Sequence, residues 1–325
     1  MTQLSGRVYQ AVPGLEDHLI KELGESHEIL GSSVEIAHDP SLFYAATSEP
    51  VFWHQNCWLN PVRIEFDSIG QAASALRSLG RNWAPSLFTQ FRRGSLIQEK
   101  LPPLPGKKRT FPWLLPETPM GAYTLLNANT IIASAKCSSP FPGGIIEFEE
   151  DKEGPPSRAY LKLWEALTLC RKWPRAGDRC LDAGASPGGW TWALSRLGAG
   201  VLSVDRSPLE HKVAGMEGVS FMKHDAFTLK PEDIGRLDWL FCDVACYPPR
   251  LFTWIEKWLA SGLCDNFICT IKMQGRAEDE SASLQETESR TADFETPRRF
   301  AEISGSKLVH LWHNKHELTW MNVKL

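Results

Sequence analysis

The chain has 325 residues, of which 42% are hydrophobic and 23% charged, and its formal net charge is −4. A length of this size is typical of two domains with sizeable buried cores. The slightly acidic balance argues against a protein that binds nucleic acid through one uniform basic surface. No apolar run reaches the roughly 18 to 20 residues that cross a bilayer, and no basic stretch leads into an apolar one at the start, so we expect a cytoplasmic protein without a membrane partner.

The N-terminal part of the sequence combines strand and helix patterns. A strand over residues 7–12 stops at a Pro-Gly pair and is followed by apolar residues at helical spacing over residues 15–23. A strand over residues 62–66 and a helix over residues 70–79 repeat this order, and residues 123–135 are typical of strand. These patterns predict an N-terminal α+β unit.

A loop-rich segment interrupts this unit. Six prolines lie between Pro102 and Pro119, a composition that breaks helices and sheets. A basic cluster begins just before it and comprises Arg92, Arg93, Lys100, Lys107, Lys108 and Arg109. Such a cluster is typical either of phosphate contact or of a solvated charged face, and the sequence leaves both interpretations open.

From Ser157 onward, helix and strand patterns alternate. Apolar spacing predicts a helix over residues 158–172 and another over residues 189–197. Strands are predicted over residues 179–183, 201–205, 219–223, 237–243, 266–272, 308–312 and 318–323. This alternation predicts an α/β, Rossmann-like fold with an open, largely parallel sheet and helices on both faces.

A glycine-rich turn joins the first of these strands to a helix. It contains Gly184, Ser186, Pro187, Gly188, Gly189 and Trp190. Glycine allows unusual backbone angles and a close approach of ligand to main chain, although a purely structural turn is also common. The spacing is neither the dinucleotide pattern G-x-G-x-x-G nor a phosphate loop, which needs a lysine after its last glycine. A pyrophosphate ligand is therefore disfavoured.

Carboxylates end the strands that follow this turn. Asp205 ends the next strand, where it can accept hydrogen bonds from both ribose hydroxyls of an adenosine. Asp225, beside Phe227, can accept the adenine amino group, and Asp243 ends a further strand. A single aspartate is also typical of a helix N-cap or a turn. Three at the carboxyl ends of successive parallel strands predict one ligand crevice.

The eight cysteines include no C-x-x-C pair. Their closest spacings fall in segments that are typical of buried strands. We therefore expect reduced core thiols, with neither a metal site nor a disulfide framework.

The segment from Asp182 to Thr191 resembles the D-x-G-x-x-P-G-G-W loop of FtsJ-like RNA 2′-O-ribose methyltransferases. Residues 157–163 resemble the S-R-x-x-x-K-L helix of that family. Asp243, Lys272 and Glu317 match its acid after the fourth strand, its lysine and its late glutamate. Within the family, the similarity is closest to the RlmM type, which modifies a cytidine of large-subunit ribosomal RNA.

This resemblance implies S-adenosyl-L-methionine as cofactor, ribosomal RNA as partner, and two domains. Residues 1–145 would form an RNA-contacting α+β domain with a shortened THUMP-like region, and residues 146–325 the Rossmann-like methyltransferase domain. The implied cofactor-binding residues are Gly184, Ser186, Pro187, Gly188, Gly189, Trp190, Asp205, Asp225 and Asp243. The implied catalytic residues are Lys162, Asp243, Lys272 and Glu317.

The chemistry requires a base, because a ribose hydroxyl must lose its proton as the methyl group arrives. We expect Lys272 to be that base. A neutral amine is favoured by burial and by the nearby cation of Lys162, and it is opposed by nearby carboxylates, so the sequence does not decide the balance. Two surface lysines in weak ion pairs remain an alternative. Two other functions also remain as alternatives: a methyltransferase that acts on another RNA or on a small molecule, and a noncatalytic RNA-binding protein.

Overall fold

The computed structural model describes residues 1–31, 41–47, 49–104, 106, 108–273 and 293–324. Lys107 of the basic cluster lies outside these residues. The chain divides into two compact units, one of Met1–Thr110 with Leu114–Phe148 and one of Phe111–Trp113 with Glu149–Leu325. Among the described residues, every helix is too short or too polar to cross a membrane.

The first unit has two five-stranded sheets and three helices in its described residues. Its elements are β1 (Thr2–Gln3), β2 (Arg7–Ala11), α1 (Glu16–Leu23), β3 (His27–Gly31), β4 (Leu42–Ala45), β5 (His54–Leu59), β6 (Val62–Glu65), α2 (Ile69–Leu79), β7 (Asn82–Pro85), α3 (Phe91–Gln98), β8 (Met120–Asn127), β9 (Thr130–Ser134) and β10 (Lys136–Cys137). The strand orders are β1-β6-β9-β8-β7 and β10-β5-β2-β4-β3. The predicted N-terminal α+β unit is confirmed.

The expected strand over residues 123–135 is in fact the hairpin of β8 and β9. The main-chain N–H of Asn129 donates to the side-chain oxygen of Asn127 at 2.9 Å, which closes the turn between the two strands. Asparagine favours such turns because its side chain can bond to the backbone two residues on. The core beside this hairpin includes Ala72 and Leu76 of α2, which are fully buried.

The second unit is built on one seven-stranded sheet of order β13-β12-β11-β14-β15-β17-β16. Its elements are α4 (Tyr160–Cys170), β11 (Arg179–Ala183), α5 (Gly189–Arg196), β12 (Gly200–Asp205), α6 (His211–Ala214), β13 (Val219–Lys223), α7 (Pro231–Ile234), β14 (Leu237–Cys242), α8 (Pro248–Ser261), β15 (Cys264–Lys272), α9 (Glu295–Glu302), β16 (Ser306–Val309) and β17 (Glu317–Val323). The first five strands of that order are parallel, and β17 is antiparallel to both neighbours. The predicted α/β, largely parallel sheet is confirmed.

The sheet topology fixes where a ligand can bind. The chain runs outward from β11 to β12 and β13, and it then returns to place β14 on the other side of β11. In sheets of this kind, ligands bind in the crevice outside the carboxyl ends of the strands, at the point where the strand order reverses. The crevice of this unit is therefore expected outside the carboxyl ends of β11 and its neighbours.

Helix α8 was not predicted from the sequence. It begins with Pro248 and Pro249, a pair that is typical of loops but also suits the first helical turn, where no N–H partner is needed. Leu251, Trp254 and Ile255 are buried on one face of this helix. All eight cysteines of the chain are free thiols, and all but Cys170 are buried.

Candidate active site

The glycine turn after β11 is shaped by close main-chain packing. Gly184 has a φ of 80°, in the left-handed region that favours glycine. A Cβ atom on Gly184 would lie 2.7 Å from Cγ2 and 2.9 Å from the main-chain nitrogen of Val244. The loops after β11 and β14 therefore approach each other at a distance that only glycine allows.

Asp182 lies beneath this turn, in the last part of β11. Its side chain accepts a hydrogen bond from the hydroxyl of Thr191 at 2.6 Å, and Thr191 also contacts the hydroxyl of Ser203 at 2.8 Å. Burial raises the pKa of Asp182 to about 7, which is only partly opposed by the bond from Thr191. This carboxyl group ties the strand to α5 behind the ligand crevice.

A cleft of about 400 Å³ opens at the carboxyl ends of the parallel strands, where the sequence predicts the ligand crevice. Five of the expected cofactor residues line it: Gly184, Ser186, Asp205, Asp225 and Asp243. Pro187, Gly188 and Gly189 continue the turn into α5. Trp190 is 3% exposed, and its indole N–H donates to the carbonyl oxygen of Ala159 at 2.9 Å. The side chain of Trp190 therefore packs inside the unit, and its part in cofactor binding stays a prediction.

Asp205 is held in place by the main chain around it. Its Oδ2 accepts a hydrogen bond from the N–H of Ser186 at 3.0 Å, and its Oδ1 accepts one from the N–H of Ser207 at 2.8 Å. Each carboxylate oxygen has a further acceptor position. Because Asp205 also lines the cleft, a ligand diol can use these positions without moving the side chain.

Asp225 has two cationic neighbours that the sequence analysis missed. Its Oδ2 pairs with the guanidinium groups of Arg206 and Arg250, and its Oδ1 accepts the N–H of Phe227 at 3.1 Å. Burial would raise the pKa of Asp225, but these bonds outweigh it and hold the pKa below its ordinary value. The guanidinium carbon of Arg250 also lies 4.6 Å from the centre of the Phe227 ring.

The four expected catalytic side chains lie together at the carboxyl ends of the parallel strands. Lys162 Nζ is 2.7 Å from Glu317 Oε1 and 3.3 Å from Asp243 Oδ1. Lys272 Nζ is 3.1 Å from Asp243 Oδ1 and 2.9 Å from the main-chain oxygen of Asp243. The pairing of β15 with β17 places Lys272 opposite Glu317. We call these four residues the Lys-Asp-Lys-Glu cluster.

Asp243 is the centre of this cluster. Burial opposes its charge, but Lys162 and Lys272 outweigh that effect and hold the pKa of Asp243 below its ordinary value. Thr270, which the sequence analysis missed, donates its hydroxyl to Asp243 Oδ1 at 2.5 Å. The side chain of Lys162 is only 8% exposed, so it is not a surface lysine, whereas that of Lys272 is 29% exposed and lines the cleft.

The chain is similar to a known protein family and to several named proteins. The model of the FtsJ-like methyltransferase family matches residues 155–282. Proteins named ribosomal RNA large subunit methyltransferase M are 33% identical over 56% of this chain in Azoarcus sp. strain BH72 and over 76% in Xanthomonas oryzae pv. oryzae strain MAFF 311018. These matches cover 49% and 67% of the relatives' own lengths. Among solved structures, the fibrillarin pre-rRNA processing protein of Methanococcus jannaschii is 18% identical with a TM-score of 0.34, over 50% of this chain and 74% of that one.

The parallel sheet, the glycine turn and the cleft define a Rossmann-like methyltransferase. The chain belongs to the FtsJ-like methyltransferase family, in the group of its RlmM-type relatives. The expected methyltransferase class and its S-adenosyl-L-methionine cofactor are thereby confirmed.

The cleft has the groups that this cofactor requires. Asp205 has acceptor positions for the ribose hydroxyls, and Phe227 offers an aromatic surface for the adenine. Asp243 also lines the cleft, where its carboxylate is paired with Lys162 and Lys272. The volume of about 400 Å³ is also within the range of small-molecule sites. The residues present therefore fit the cofactor.

Replacing Asp205 with alanine should weaken cofactor binding by about 10- to 100-fold, because a hydrogen bond to a charged group is worth about 1.5–3 kcal/mol. Titration calorimetry with S-adenosyl-L-methionine measures the effect. Asp233→Ala, which removes an exposed carboxylate of α7, is the matched control and should bind like the wild type. Equal affinity of Asp205→Ala and the wild type would contradict the assigned contact.

Proposed function

We propose that the chain transfers a methyl group from S-adenosyl-L-methionine to a ribose 2′-hydroxyl of RNA, and that the target is a cytidine of large-subunit ribosomal RNA. The observation that carries this proposal is the Lys-Asp-Lys-Glu cluster beside the cofactor cleft. It brings a basic side chain and fixed charges to the place where a hydroxyl must lose its proton.

Lys272 is the proposed base. When bound, the cofactor supplies a methyl group that its sulfonium charge already activates, so the protein must mainly align the reacting groups and take up one proton. Lys272 Nζ has one contact to Oδ1 and one to the main-chain oxygen of Asp243. A lysine nitrogen has a third bonding position, and Lys272 lines the cleft, so this position is available to the substrate hydroxyl.

The other members of the cluster position the base. In its neutral form, Lys272 takes the hydroxyl proton, and the Asp243 carboxylate then stabilises the ammonium group that results. Lys162 is held between Asp243 and Glu317, which restricts all three side chains to one arrangement. Thr270 fixes Asp243 from the neighbouring strand. We assign Lys162, Asp243, Lys272 and Glu317 together as the catalytic residues.

The proposed substrate is supported by the relatives, which are named as methyltransferases of large-subunit ribosomal RNA. We propose that residues 1–145 form an RNA-contacting domain with a shortened THUMP-like region and that residues 146–325 form the catalytic domain. Arg92 and Lys108 of the basic cluster are exposed, as phosphate contact requires. Ribosomal RNA as substrate is also in line with the expected cytoplasmic location.

The proposed function predicts that the protein methylates total RNA from cells that lack it. We expect labelled methyl groups from S-adenosyl-L-methionine to appear, after digestion to nucleosides, in 2′-O-methylcytidine. RNA from cells that contain the protein is the control and should accept little label, because its target is already modified. Label in a base-methylated nucleoside, or transfer only to a small molecule, would contradict the proposal.

A further inference from the structure

The loop between β16 and β17, residues 310–316, lies at the same edge of the sheet as the Lys-Asp-Lys-Glu cluster. Strand β17 is antiparallel to β15, and its first residue, Glu317, is paired with the last residue of β15, Lys272. The loop ends where this catalytic pair begins. A side chain that the loop presents to solvent is therefore well placed to meet a substrate of the cluster.

A buried carboxylate holds this loop. Glu165 of α4 is 2% exposed, and it accepts the main-chain N–H of Trp312 at 2.9 Å and that of His313 at 3.0 Å. It also contacts the imidazole Nδ1 of His313 at 2.7 Å. A carboxylate bonded to two main-chain N–H groups fixes the backbone between them. The turn at Trp312 and His313 is thus tied to the core of the unit.

The same helix holds the catalytic cluster. Lys162 precedes Glu165 by three residues in α4, so the two side chains share one helix face. From this face, Lys162 reaches Glu317 while Glu165 reaches the loop. Asn314 adds a second tie, since its amide donates to the carbonyl oxygen of Glu317 at 2.9 Å. The loop and the cluster are therefore positioned by common neighbours.

The tied loop nevertheless exposes a tryptophan. Trp312 is 39% exposed although its backbone is fixed. Lys315 and His316 of the same loop are also exposed, and the loop from residue 310 to residue 316 contains no acidic residue. An aromatic ring on a fixed backbone, in a loop that also exposes a lysine and has no acidic residue, suits a nucleobase next to its phosphates.

We propose that Trp312 stacks on a base of the bound RNA close to the target ribose, and that Glu165 is the positioning residue that holds Trp312 there. This inference rests on the proposed function, since it names the part of the protein that receives the RNA beside the cluster. Single-stranded RNA is commonly held by aromatic stacking of unpaired bases. The stacking keeps one nucleotide still while the neighbouring ribose reacts.

The first test compares two short RNA oligomers of equal length, one of cytidines and one without bases. We expect the wild type to prefer the cytidine oligomer, and Trp312→Ala to bind it about 10-fold more weakly, because base–aromatic stacking is worth about 1–3 kcal/mol. Trp312→Ala should bind the abasic oligomer as the wild type does. Trp312→Phe should retain most of the preference for the cytidine oligomer. The control variant Met222→Ala removes an exposed apolar side chain from β13, the outermost strand on the side of the sheet away from β16, and it should retain the full preference.

The second test separates positioning from folding. Glu165→Gln should weaken binding of the cytidine oligomer in the wild-type background and have no further effect in the Trp312→Ala background, because both changes remove the same contact. In methyl transfer to RNA, each variant should raise KM more than it lowers kcat. Additive effects of the two changes would overturn the role of Glu165.

The two proposals can fail separately. If the wild type methylates RNA while Trp312→Ala retains the preference for the cytidine oligomer, the stacking proposal is overturned and the proposed function stands. If the wild type prefers the cytidine oligomer through Trp312 but transfers no methyl group to any RNA, the stacking contact stands and the proposed function fails.

Discussion

Lys272→Ala should lower the rate of methyl transfer by about 10²- to 10⁴-fold, the usual contribution of a positioned base. Cofactor affinity should change little, because Asp205 and the glycine turn remain in place. Asp243 would still be paired with Lys162 at 3.3 Å, so the cluster is not left with an isolated buried charge. The loss should therefore appear in kcat rather than in the binding of S-adenosyl-L-methionine.

Lys272→Arg distinguishes a base from a fixed positive charge. Arginine keeps the charge but is not deprotonated in proteins, so a base role predicts that this variant is as inactive as Lys272→Ala. Lys257→Ala, which removes an exposed lysine of α8, is the control and should retain full activity. Single-turnover transfer to RNA measures all four proteins. Substantial activity in Lys272→Arg would show that Lys272 acts through its charge alone.

Asp182→Asn should make the stability of the protein less dependent on pH. The pKa of Asp182 is raised from 3.8 to about 7 by burial, so the folded state holds a proton that the unfolded state releases above pH 3.8. The stability that this proton contributes is fully present at low pH and is lost as the pH rises toward 7. Asparagine cannot ionise and keeps an oxygen that can accept the hydroxyl of Thr191.

Denaturant unfolding without cofactor, at pH 5 and at pH 8, measures this effect. The variant should gain about 3 kcal/mol relative to the wild type between the two pH values, since each unit of pKa shift is worth about 1.4 kcal/mol. Asp233→Asn is the control, because Asp233 is exposed, and it should follow the wild type. An Asp182→Asn protein with the same pH dependence as the wild type would refute the raised pKa.

The central strands of the second unit could be predicted from the sequence because they are buried. The predicted range of β11 agrees with the structure at both ends, and those of β12 and β14 differ by one residue. Parallel strands covered on both faces have near-continuous apolar runs. Their bounds are therefore set by the sequence pattern itself.

The first unit was harder to predict because several of its strands do not follow such patterns. Strand β5 contains Gln55 and Asn56, both buried, which interrupt the expected apolar alternation. The side chain of Gln55 donates to the carbonyl oxygen of Gly143, 88 residues later in the chain. A buried polar residue is stabilised by a partner of this kind, which a local pattern does not reveal.

The site shows the same division between local pattern and tertiary contact. The glycine turn and the carboxylates at strand ends could be found from their order along the chain. The role of Arg250 could not be predicted from this order, because its contact with Asp225 requires the first turn of α8 to lie against the loop after β13. The role of Glu165 could not be predicted either, since its hydrogen-bond partners, Trp312 and His313, follow it by more than 140 residues.

The position of β17 has a consequence for synthesis of the protein. This strand comes after β15 and β16 in the chain but lies between them in the sheet, and it begins with Glu317. During translation, β15 and β16 therefore leave the ribosome before the strand that joins them exists. A nascent chain that has grown only to residue 316 has two unjoined strand edges and no partner for Lys162 from β17. The seven-stranded sheet and the ion pair of Lys162 with Glu317 are thus complete only after this late strand has been made and inserted.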